Sequence, residues 1–305
     1  MENLMRNCFL FLSKNKTITK LAKKYGLRLG ASRFVAGESV DQAVQIIKNM
    51  NKKGLVVTVD YLGEFVNSEN ETLNMTNQTI KTIEAIGKEN LDAQVSLKLT
   101  SLGLDISEEL VMTNFRRIIN KAREYQVFVT IDMEDYERCE KTLEIYKTFK
   151  KEYEHLGTVI QAYLYRAEKD IKELDAYDAS LRLVKGAYKE SSEVAFPDKK
   201  DVDENFKKLI RLHLENGNFT AIATHDDAII EYTKQLVKEL NIPKDQYEFQ
   251  MLYGIRTDRQ LELIQEGYPM RVYVPYGTDW YGYYMRRLAE RPANVWFVVK
   301  NMFKK

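Results

Sequence analysis

Short apolar runs rich in β-branched residues recur along this 305-residue chain, and charged segments with helical periodicity separate them. Runs of this kind are typical of strands, and the intervening segments are typical of amphipathic helices. Eight runs occur, at residues 55–60, 93–100, 127–133, 158–164, 180–188, 219–225, 247–254 and 270–277. This alternation predicts an α/β fold, a (β/α)8 barrel, with an open doubly wound sheet as the alternative. No GxGxxG sequence follows the first run, which disfavours the alternative.

Helix boundaries can be placed between these runs from capping residues. Ser39 and Ser107 precede helix-periodic segments and are predicted to cap them. Gly54 and Gly267 follow such segments and are predicted to mark their ends.

The composition is that of an ordinary globular protein. Lys plus Arg number 46 against 45 for Asp plus Glu, a net charge of +1 that does not support nucleic-acid binding. Cys8 and Cys139 have no metal-ligand or redox spacing, and the apolar run 8–12 is too short to span a membrane. We therefore expect a cytoplasmic protein with a single domain over 1–305, in which 1–50 form a leading helical segment.

Polar residues stand near the C-terminal end of every predicted strand, the end where barrel active sites lie. They are Asp60, Glu64, Lys98, Asp132, Gln161, Arg182, Lys185, Thr224, His225, Gln250 and Tyr273. Each residue alone also has a structural explanation. Lys98 could point outward from an edge strand, Asp132 could cap the next helix, and His225 could be a hydrogen-bonded core residue. Their recurrence at equivalent positions favours a site.

Two consecutive arginines, Arg286 and Arg287, lie on a predicted helix just after the last strand. Paired guanidinium groups are suited to binding a small carboxylate, since each forms two parallel hydrogen bonds. Helical spacing brings Tyr283 and Glu290 close to the pair. The alternative is a solvated, ion-paired helix face.

Several reaction classes are disfavoured by missing motifs. The three histidines form no HExxH pattern, so no metal site is predicted, and no GxSxG or Walker sequence occurs. A carboxylate substrate could then react with a lysine nucleophile, for which Lys98 is the candidate, or with a bound organic cofactor. The groups that could hold such a cofactor are Arg182, Lys185, Gly186 and Thr224.

Ordered motifs over most of the chain resemble the proline dehydrogenase family. They are VDYLGE (59–64), SLKLT (96–100), TIDME (130–134), VIQAY (159–163), LRLVKGAY (181–188), ATH (223–225), VYVPYG (272–277) and YYMRRLAER (283–291). The resemblance implies a distorted (β/α)8 barrel with an N-terminal helical extension and its last helix over the C-terminal face. It further implies FAD-dependent oxidation of L-proline to Δ1-pyrroline-5-carboxylate by hydride transfer, with electrons passed to a membrane quinone.

The resemblance also implies roles for individual residues. Those implied to be catalytic are Lys98, Asp132, Arg182 and Tyr273. Those implied to bind proline are Lys98, Arg286, Arg287, Tyr273, Leu252, Tyr283 and Glu64, with Glu64 paired to Arg286. Those implied to bind FAD are Gln161, Arg182, Val184, Lys185, Gly186, Ala187, Thr224, His225 and Glu290.

The resemblance is to the compact, monofunctional branch of the family. Bifunctional members place a tryptophan after the tyrosine equivalent to Tyr188, whereas this chain has Lys189, which leaves the flavin's stacking partner open. The chain has no room for an added aldehyde dehydrogenase module, so a separate pyrroline-5-carboxylate dehydrogenase is expected as a partner. Use of a membrane quinone implies peripheral contact with the inner face of the cell membrane.

Overall fold

The computed structural model describes residues 31–290, with the backbone alone described at positions 286 and 288–290. Eight parallel strands close into a barrel in chain order, and β8 pairs with β1. The strands are β1 (Val56–Tyr61), β2 (Ala93–Leu97), β3 (Val129–Ile131), β4 (Leu156–Gln161), β5 (Ser180–Val184), β6 (Thr220–Ala223), β7 (Tyr247–Leu252) and β8 (Met270–Tyr276). The predicted barrel is confirmed, and the open sheet is excluded.

Helices alternate with the strands and surround the barrel. They are α1 (Val40–Asn51), α2 (Glu69–Lys88), α3 (Glu108–Tyr125), α4 (Tyr136–Lys150), α5 (Ala167–Leu174), α6 (Lys199–Glu215), α7 (Asp227–Glu239), α8 (Thr257–Gln265) and α9 (Trp280–Glu290). Short 3₁₀ turns lie at Ala31–Arg33, Leu99–Leu102 and Asp175–Tyr177. No helix within 31–290 is both long and apolar enough to cross a membrane.

The predicted helix boundaries are confirmed by the capping contacts. The Ser39 hydroxyl accepts a hydrogen bond from the Gln42 backbone N–H in a reciprocal capping box, and the Ser107 hydroxyl caps α3 by accepting one from the Leu110 backbone N–H. Gly54 and Gly267, with φ of +78° and +83°, follow α1 and α8. These left-handed conformations are the ones that glycine adopts without steric cost.

Residues along each strand alternate between the two faces of the barrel wall. On β1, Val57 and Val59 belong to the main apolar core that the helices cover, whereas Asp60 contacts residues of other strands inside the barrel. The interior of the barrel is therefore polar near the strand ends, and the apolar core lies between strands and helices.

Except at β1, the predicted strand runs extend too far at their C-terminal ends. The chain leaves the sheet at Leu97 and Val184 although apolar residues continue beyond both points. Lys98 begins a 3₁₀ turn, and the Asp132 N–H still donates to the Leu97 carbonyl oxygen at 2.8 Å although β3 has ended. These residues turn across the barrel mouth, where the functional side chains lie.

A second, smaller apolar core lies at the C-terminal face of the barrel. Residues of α9, including Trp280 and Tyr284, pack there against Phe34, against Leu62 after β1, and against Ile255 after β7. The predicted placement of the last helix is therefore confirmed. Of the predicted leading segment 1–50, residues 1–30 lie outside the described part of the chain.

Candidate active site

Four side chains from four strands meet at the C-terminal mouth of the barrel. The Lys98 Nζ atom lies 3.1 Å from Asp60 Oδ2 and 3.5 Å from Asp132 Oδ2. The Tyr273 hydroxyl lies 2.8 Å from the same Asp60 oxygen and 2.7 Å from the same Asp132 oxygen. Strands that are distant in sequence thus place one cation and two carboxylates around one phenol. Asp132 does not cap α4, because Asp135 occupies the cap position.

Arg182 on β5 joins this network from the opposite side. Its Nη1 atom donates to Asp132 Oδ1 at 2.6 Å and to Ser96 Oγ at 3.2 Å. Its guanidinium carbon lies 5.2 Å from the centre of the Tyr273 ring. The Nε and Nη2 atoms are buried and have no hydrogen-bond partner among the residues that the structure describes. Buried donors are normally satisfied, so these two N–H groups are available to a water molecule or a ligand.

The charges of the network are set by burial and by their neighbours. Burial disfavours the Lys98 ammonium, but the attraction of Asp60, Tyr273 and Asp132 outweighs burial and raises the lysine pKa well above its ordinary value. Burial also disfavours the Asp132 carboxylate, but Arg182 and Lys98 outweigh it and lower the pKa of Asp132. Burial raises the pKa of Asp60, against the attraction of Lys98 and with the repulsion of Asp132.

The charge of Lys98 bears on the two chemistries that the sequence left open. A Schiff-base lysine must present an unprotonated amine to its substrate. The raised pKa keeps Lys98 an ammonium at neutral pH. The closed barrel also has no edge strand from which Lys98 could point outward. The geometry therefore favours a charged anion-binding role for this lysine.

A second buried carboxyl group, Glu134, lies directly beside the network. It accepts hydrogen bonds from the Thr100 backbone N–H at 3.1 Å and from the Thr100 hydroxyl, and its own carbonyl oxygen accepts one from Gln161 Nε2 at 2.9 Å. Burial raises the pKa of Glu134 to about 7, although the Thr100 hydrogen bonds oppose the change. The charge of Lys98 lowers the pKa of Glu134, and the charge of Glu64 raises it.

The predicted proline-binding residues on loops and on α9 collect at the rim of the same mouth. Leu252, at the end of β7, packs against the small core that contains Tyr283. The Arg287 guanidinium carbon lies 5.1 Å from the Tyr283 ring centre, and Glu64 lies close enough for its charge to raise the pKa of Lys98. The side chain of Arg286, and hence its predicted pairing with Glu64, lies outside the described residues, as does that of Glu290.

The predicted cofactor residues after β4 and β5 lie side by side along the mouth. The carbonyl oxygens of Val184 and Lys185 accept from the backbone N–H groups of Ala162 and Tyr163, both at 2.8 Å. Gly186 has φ of +123°, and a Cβ atom there would lie 2.3 Å from the Tyr163 ring. The adjoining Ala187 is exposed. Only glycine fits the approach of the chain at 186.

Lys185 is engaged with carboxylates of the protein. Its Nζ atom lies 2.8 Å from Asp226 Oδ2 and also contacts Asp203. Thr224 accepts a hydrogen bond from the Asp226 N–H at 3.1 Å, and His225 Nε2 accepts one from the Leu252 N–H at 3.0 Å. These contacts fix the β6 end against its neighbours.

The sequence assigned no role to three residues of this site, and it marked Asp60 only as a strand-end residue. The three are Ser96, Glu134 and Tyr188. Ser96 was detectable because it stands two residues before Lys98 and so shares its face of the strand. Burial raises the pKa of the Tyr188 hydroxyl, and Glu64 and Lys98 act on it in opposite directions.

A cavity of about 390 Å³ lies at the other end of the barrel, lined by Arg123, Gln126 and residues 150–155. Arg123 lies in the last turn of α3, Gln126 follows that helix, and residues 150–155 lead from the end of α4 to β4, which places the cavity on the N-terminal side of the strands. Active sites of this fold lie at the opposite face. Within 31–290, no group of three or more His, Cys, Asp or Glu side chains has an arrangement that could hold a metal ion.

The family model for proline dehydrogenase matches residues 43–300. The chain belongs to the proline dehydrogenase family. Oxidation of proline, the first step of proline catabolism, is accordingly the activity of this enzyme.

Curated proline dehydrogenases are similar over their whole length. Proline dehydrogenase 1 of Bacillus subtilis (strain 168) is 59% identical over 302 residues, which cover 99% of this chain and 100% of that protein. The proline dehydrogenase of Deinococcus radiodurans is 45% identical and covers 99% of each chain. Both are proline dehydrogenases of about this length.

A solved structure agrees with the barrel and its helices. Proline utilization A of Bdellovibrio bacteriovorus, inactivated by N-propargylglycine, superposes with a TM-score of 0.83 at 27% identity. The match covers 94% of this chain and 36% of that larger protein. The bifunctional protein PutA of Escherichia coli is 27% identical, over 89% of this chain and 24% of its own length.

Proposed function

We propose that this proline dehydrogenase uses FAD and converts L-proline to Δ1-pyrroline-5-carboxylate at the strand-end network. The observation that carries the proposal is Arg182, whose two buried N–H groups have no partner among the described residues. A flavin ring offers acceptor atoms for such donors, so the residues present fit the cofactor. When bound, the flavin would accept the hydride of proline and pass its electrons to a membrane quinone.

The flavin would lie along the ends of β4 to β6. Its proposed contacts are Gln161, Arg182, Val184, Lys185, Gly186, Ala187, Thr224, His225 and Glu290. Arg182 has the largest effect in this scheme, because a fixed guanidinium stabilises negative charge that develops on its neighbour during reduction. Asp132 holds the guanidinium in place through the 2.6 Å contact with Nη1.

The substrate carboxylate would be bound by cations from two sides of the mouth. Lys98 is held as an ammonium, and two of its three N–H donors face Asp60 and Asp132, so one remains for a ligand. Arg286 and Arg287 on α9 would bind the carboxylate from above. Binding at both places would orient the ring, and such orientation contributes several kcal/mol to lowering a barrier, roughly 7 to 11 at most.

The remaining pocket residues would surround the proline ring and exclude water. Tyr273 provides an aromatic face, while Leu252 packs at the rim against the small core to which Tyr283 belongs. Glu64 would pair with Arg286 above the ring. A dry pocket strengthens every charge interaction within it.

An absorbance spectrum tests the cofactor proposal. The purified protein should show a flavin band in the visible region, and anaerobic addition of L-proline should bleach it. N-propargylglycine, which inactivates the Bdellovibrio relative, should abolish the bleaching. A colourless protein that nevertheless oxidises proline would contradict the use of FAD.

Two single variants test the carboxylate-binding proposal. Arg286→Met and Arg287→Met should each raise the KM for proline about 10- to 100-fold, since hydrogen bonds to charged groups contribute about 1.5–3 kcal/mol. Flavin content should stay at the wild-type level. A normal KM in either variant would remove that arginine from the site.

We further propose that the enzyme is cytoplasmic, contacts the inner face of the membrane peripherally, and releases its product to a separate pyrroline-5-carboxylate dehydrogenase. Reduction of a soluble quinone analogue, compared with quinone in lipid vesicles, tests the membrane contact. Faster turnover with vesicles is expected, together with co-sedimentation of the protein. Equal turnover without co-sedimentation would contradict it.

A further inference from the structure

Helix α9, which carries the two arginines, does not rest on the barrel alone. Its first turn lies on residues 31–38, a segment that precedes α1 and that we call the strap. Phe34 of the strap contacts Tyr284 at 6.2 Å between ring centres, and both residues belong to the small core at the C-terminal face. Residues more than 240 positions apart in sequence therefore form one packing unit.

Backbone hydrogen bonds fix the strap to the end of β8. The Ala36 N–H donates to the Pro275 carbonyl oxygen at 2.9 Å, and the Gly277 N–H donates to the Gly37 carbonyl oxygen at 2.9 Å. Gly277 has φ of +121°, and a Cβ atom there would lie 2.9 Å from the Tyr61 ring. The strap thus runs beside the turn that joins β8 to α9.

The strap is also tied to the loop after β7. Arg33 Nε donates to the Gly254 carbonyl oxygen at 3.3 Å. A Cβ atom on Gly254 would lie only 1.8 Å from the Arg33 carbonyl oxygen, so the two backbones approach as closely as glycine allows. This loop follows Leu252, which the proposed function places against proline.

One side-chain contact joins the strap directly to α9. The indole Nε1 of Trp280, the first residue of the helix, donates to Glu38 Oε1 at 2.8 Å. The Trp280 ring is completely buried, so its N–H requires an acceptor inside the protein. A carboxylate at a helix N-terminus also interacts favourably with the helix dipole. Glu38 therefore fixes both the ring and the start of the helix.

We propose that Glu38 is a positioning residue for substrate binding, which it serves by holding Trp280 and thereby the arginine-bearing helix over the barrel mouth. The proposal rests on the proposed carboxylate-binding role of Arg286 and Arg287. Arg287 is close to Trp280 along the helix, because it lies two turns beyond it and stacks on Tyr283 of the same small core. A small rotation at the first turn would displace the guanidinium from its ligand.

A matched pair of substitutions tests the proposal. Glu38→Leu removes the acceptor and should raise the KM for proline about five- to tenfold, the loss expected for an ordinary net hydrogen bond, with kcat per bound flavin unchanged. Glu38→Gln keeps an amide oxygen at the acceptor position and should return the KM to within about twofold of wild type. Rescue by glutamine and the KM-to-kcat split distinguish positioning from a general loss of stability.

Trp280→Phe removes the donor and supplies the second half of a double-mutant cycle. It should raise the KM to a similar degree, and Glu38→Leu combined with Trp280→Phe should be no worse than either change alone. Fully additive effects would show that the two side chains act independently and would overturn the proposal.

Tyr153→Phe is the control for stability at a distance from the site. It removes a buried hydrogen bond of 2.7 Å to the Val127 carbonyl oxygen, near the other end of the barrel. It should lower the Tm and leave the proline KM unchanged. If Glu38→Leu behaves like this control, the strap has only a structural role. Arg287→Met, measured alongside, distinguishes failure of this proposal from failure of the proposed carboxylate site. A raised KM in Arg287→Met together with a normal KM in Glu38→Leu would reject the positioning role of Glu38 and leave the carboxylate site intact.

Discussion

The two ends of the barrel interior each contain an arginine paired with a buried carboxylate, yet the hydrogen bonding of the two arginines differs. At the N-terminal end, Arg271 Nε donates to Glu248 Oε1 at 2.6 Å and Nη1 to the Val57 carbonyl oxygen at 2.9 Å. Gln250 donates to the same Glu248 oxygen at 2.6 Å. At the C-terminal end, Arg182 keeps two buried N–H groups without a partner among the described residues.

The difference separates an arginine whose donors are bonded within the protein from one whose remaining donors the proposed function assigns to the flavin. The N-terminal network contains no buried side-chain atom without a partner in the described residues. A buried ion pair of that kind contributes little net stability but is costly to break. At the C-terminal end the unsatisfied donors represent an energetic cost that a bound acceptor would remove. The following predictions test this contrast, from the largest expected effect to the smallest.

Arg271→Met should have the largest effect, and on stability alone. It leaves Glu248 buried without its cation, so the free energy of unfolding should fall by about 3–5 kcal/mol in urea denaturation. The double variant with Glu248→Gln should recover part of the loss, since Gln250 can still donate to the new amide oxygen. A change in proline KM would show that the N-terminal end is not purely structural.

Arg182→Lys should instead affect catalysis. The ammonium can still pair with Asp132, so the Tm should change little, but the planar donors are lost. The rate of flavin reduction by proline, measured by anaerobic stopped flow per bound flavin, should fall about 10²- to 10³-fold. If Arg182→Lys lost stability and kept a normal reduction rate, Arg182 would have a structural role and not the catalytic role proposed for it.

Glu134, at the C-terminal end, should make the stability of the folded protein depend on pH. The folded-state pKa of Glu134, about 7, lies above the ordinary value of 4.5. Between pH 4.5 and pH 7 the folded protein therefore holds a proton on Glu134 that the unfolded protein has lost. The stability that this proton confers is complete below about pH 4.5 and is lost as the pH rises through 7, by at most about 3 kcal/mol. Glu134→Gln should abolish this loss in denaturation measured at pH 5 and pH 8. An unchanged pH dependence would mean that Glu134 is ionised throughout.

Tyr273→Phe should have the smallest effect. It removes the hydroxyl that lies between Asp60 and Asp132 while it keeps the ring beside Arg182. We expect kcat/KM for proline to fall about five- to tenfold, the loss of a net hydrogen bond of about 1 kcal/mol or slightly more. Tyr153→Phe, at the other end, should leave kcat/KM unchanged. Equal losses in both variants would contradict a special role for Tyr273.

Sequence patterns were most informative where local chemistry sets the structure. The eight apolar runs predicted the strands, and Ser39 and Ser107 marked helix starts, because capping depends on neighbours three residues away. The strand ends were predicted too far along the chain, since apolar residues at the mouth leave the sheet to build loops. Lys98, for instance, follows an apolar run and yet begins a 3₁₀ turn.

Sequence patterns did not predict which residues on different strands contact each other. Asp60 was recognised as a strand-end residue, but its contact with Lys98 depends on the pairing register of β1 and β2. Glu134 has no sequence signal that separates it from a solvated acid, because its hydrogen bonds come from Thr100 in the turn after β2 and Gln161 on β4. The strap was expected only as part of a leading helix.

The sequence by itself determined the barrel, the family and the identity of the cations, because strand alternation, helix periodicity and residue type are local properties. Tertiary structure alone decided which of those charges satisfy one another. Lys98 and Arg182 look alike as strand-end cations, yet closure of the barrel holds Lys98 as an ammonium and leaves Arg182 with two donors for a ligand. That distinction depends on burial and on distances between strands far apart in the chain, which no local pattern encodes.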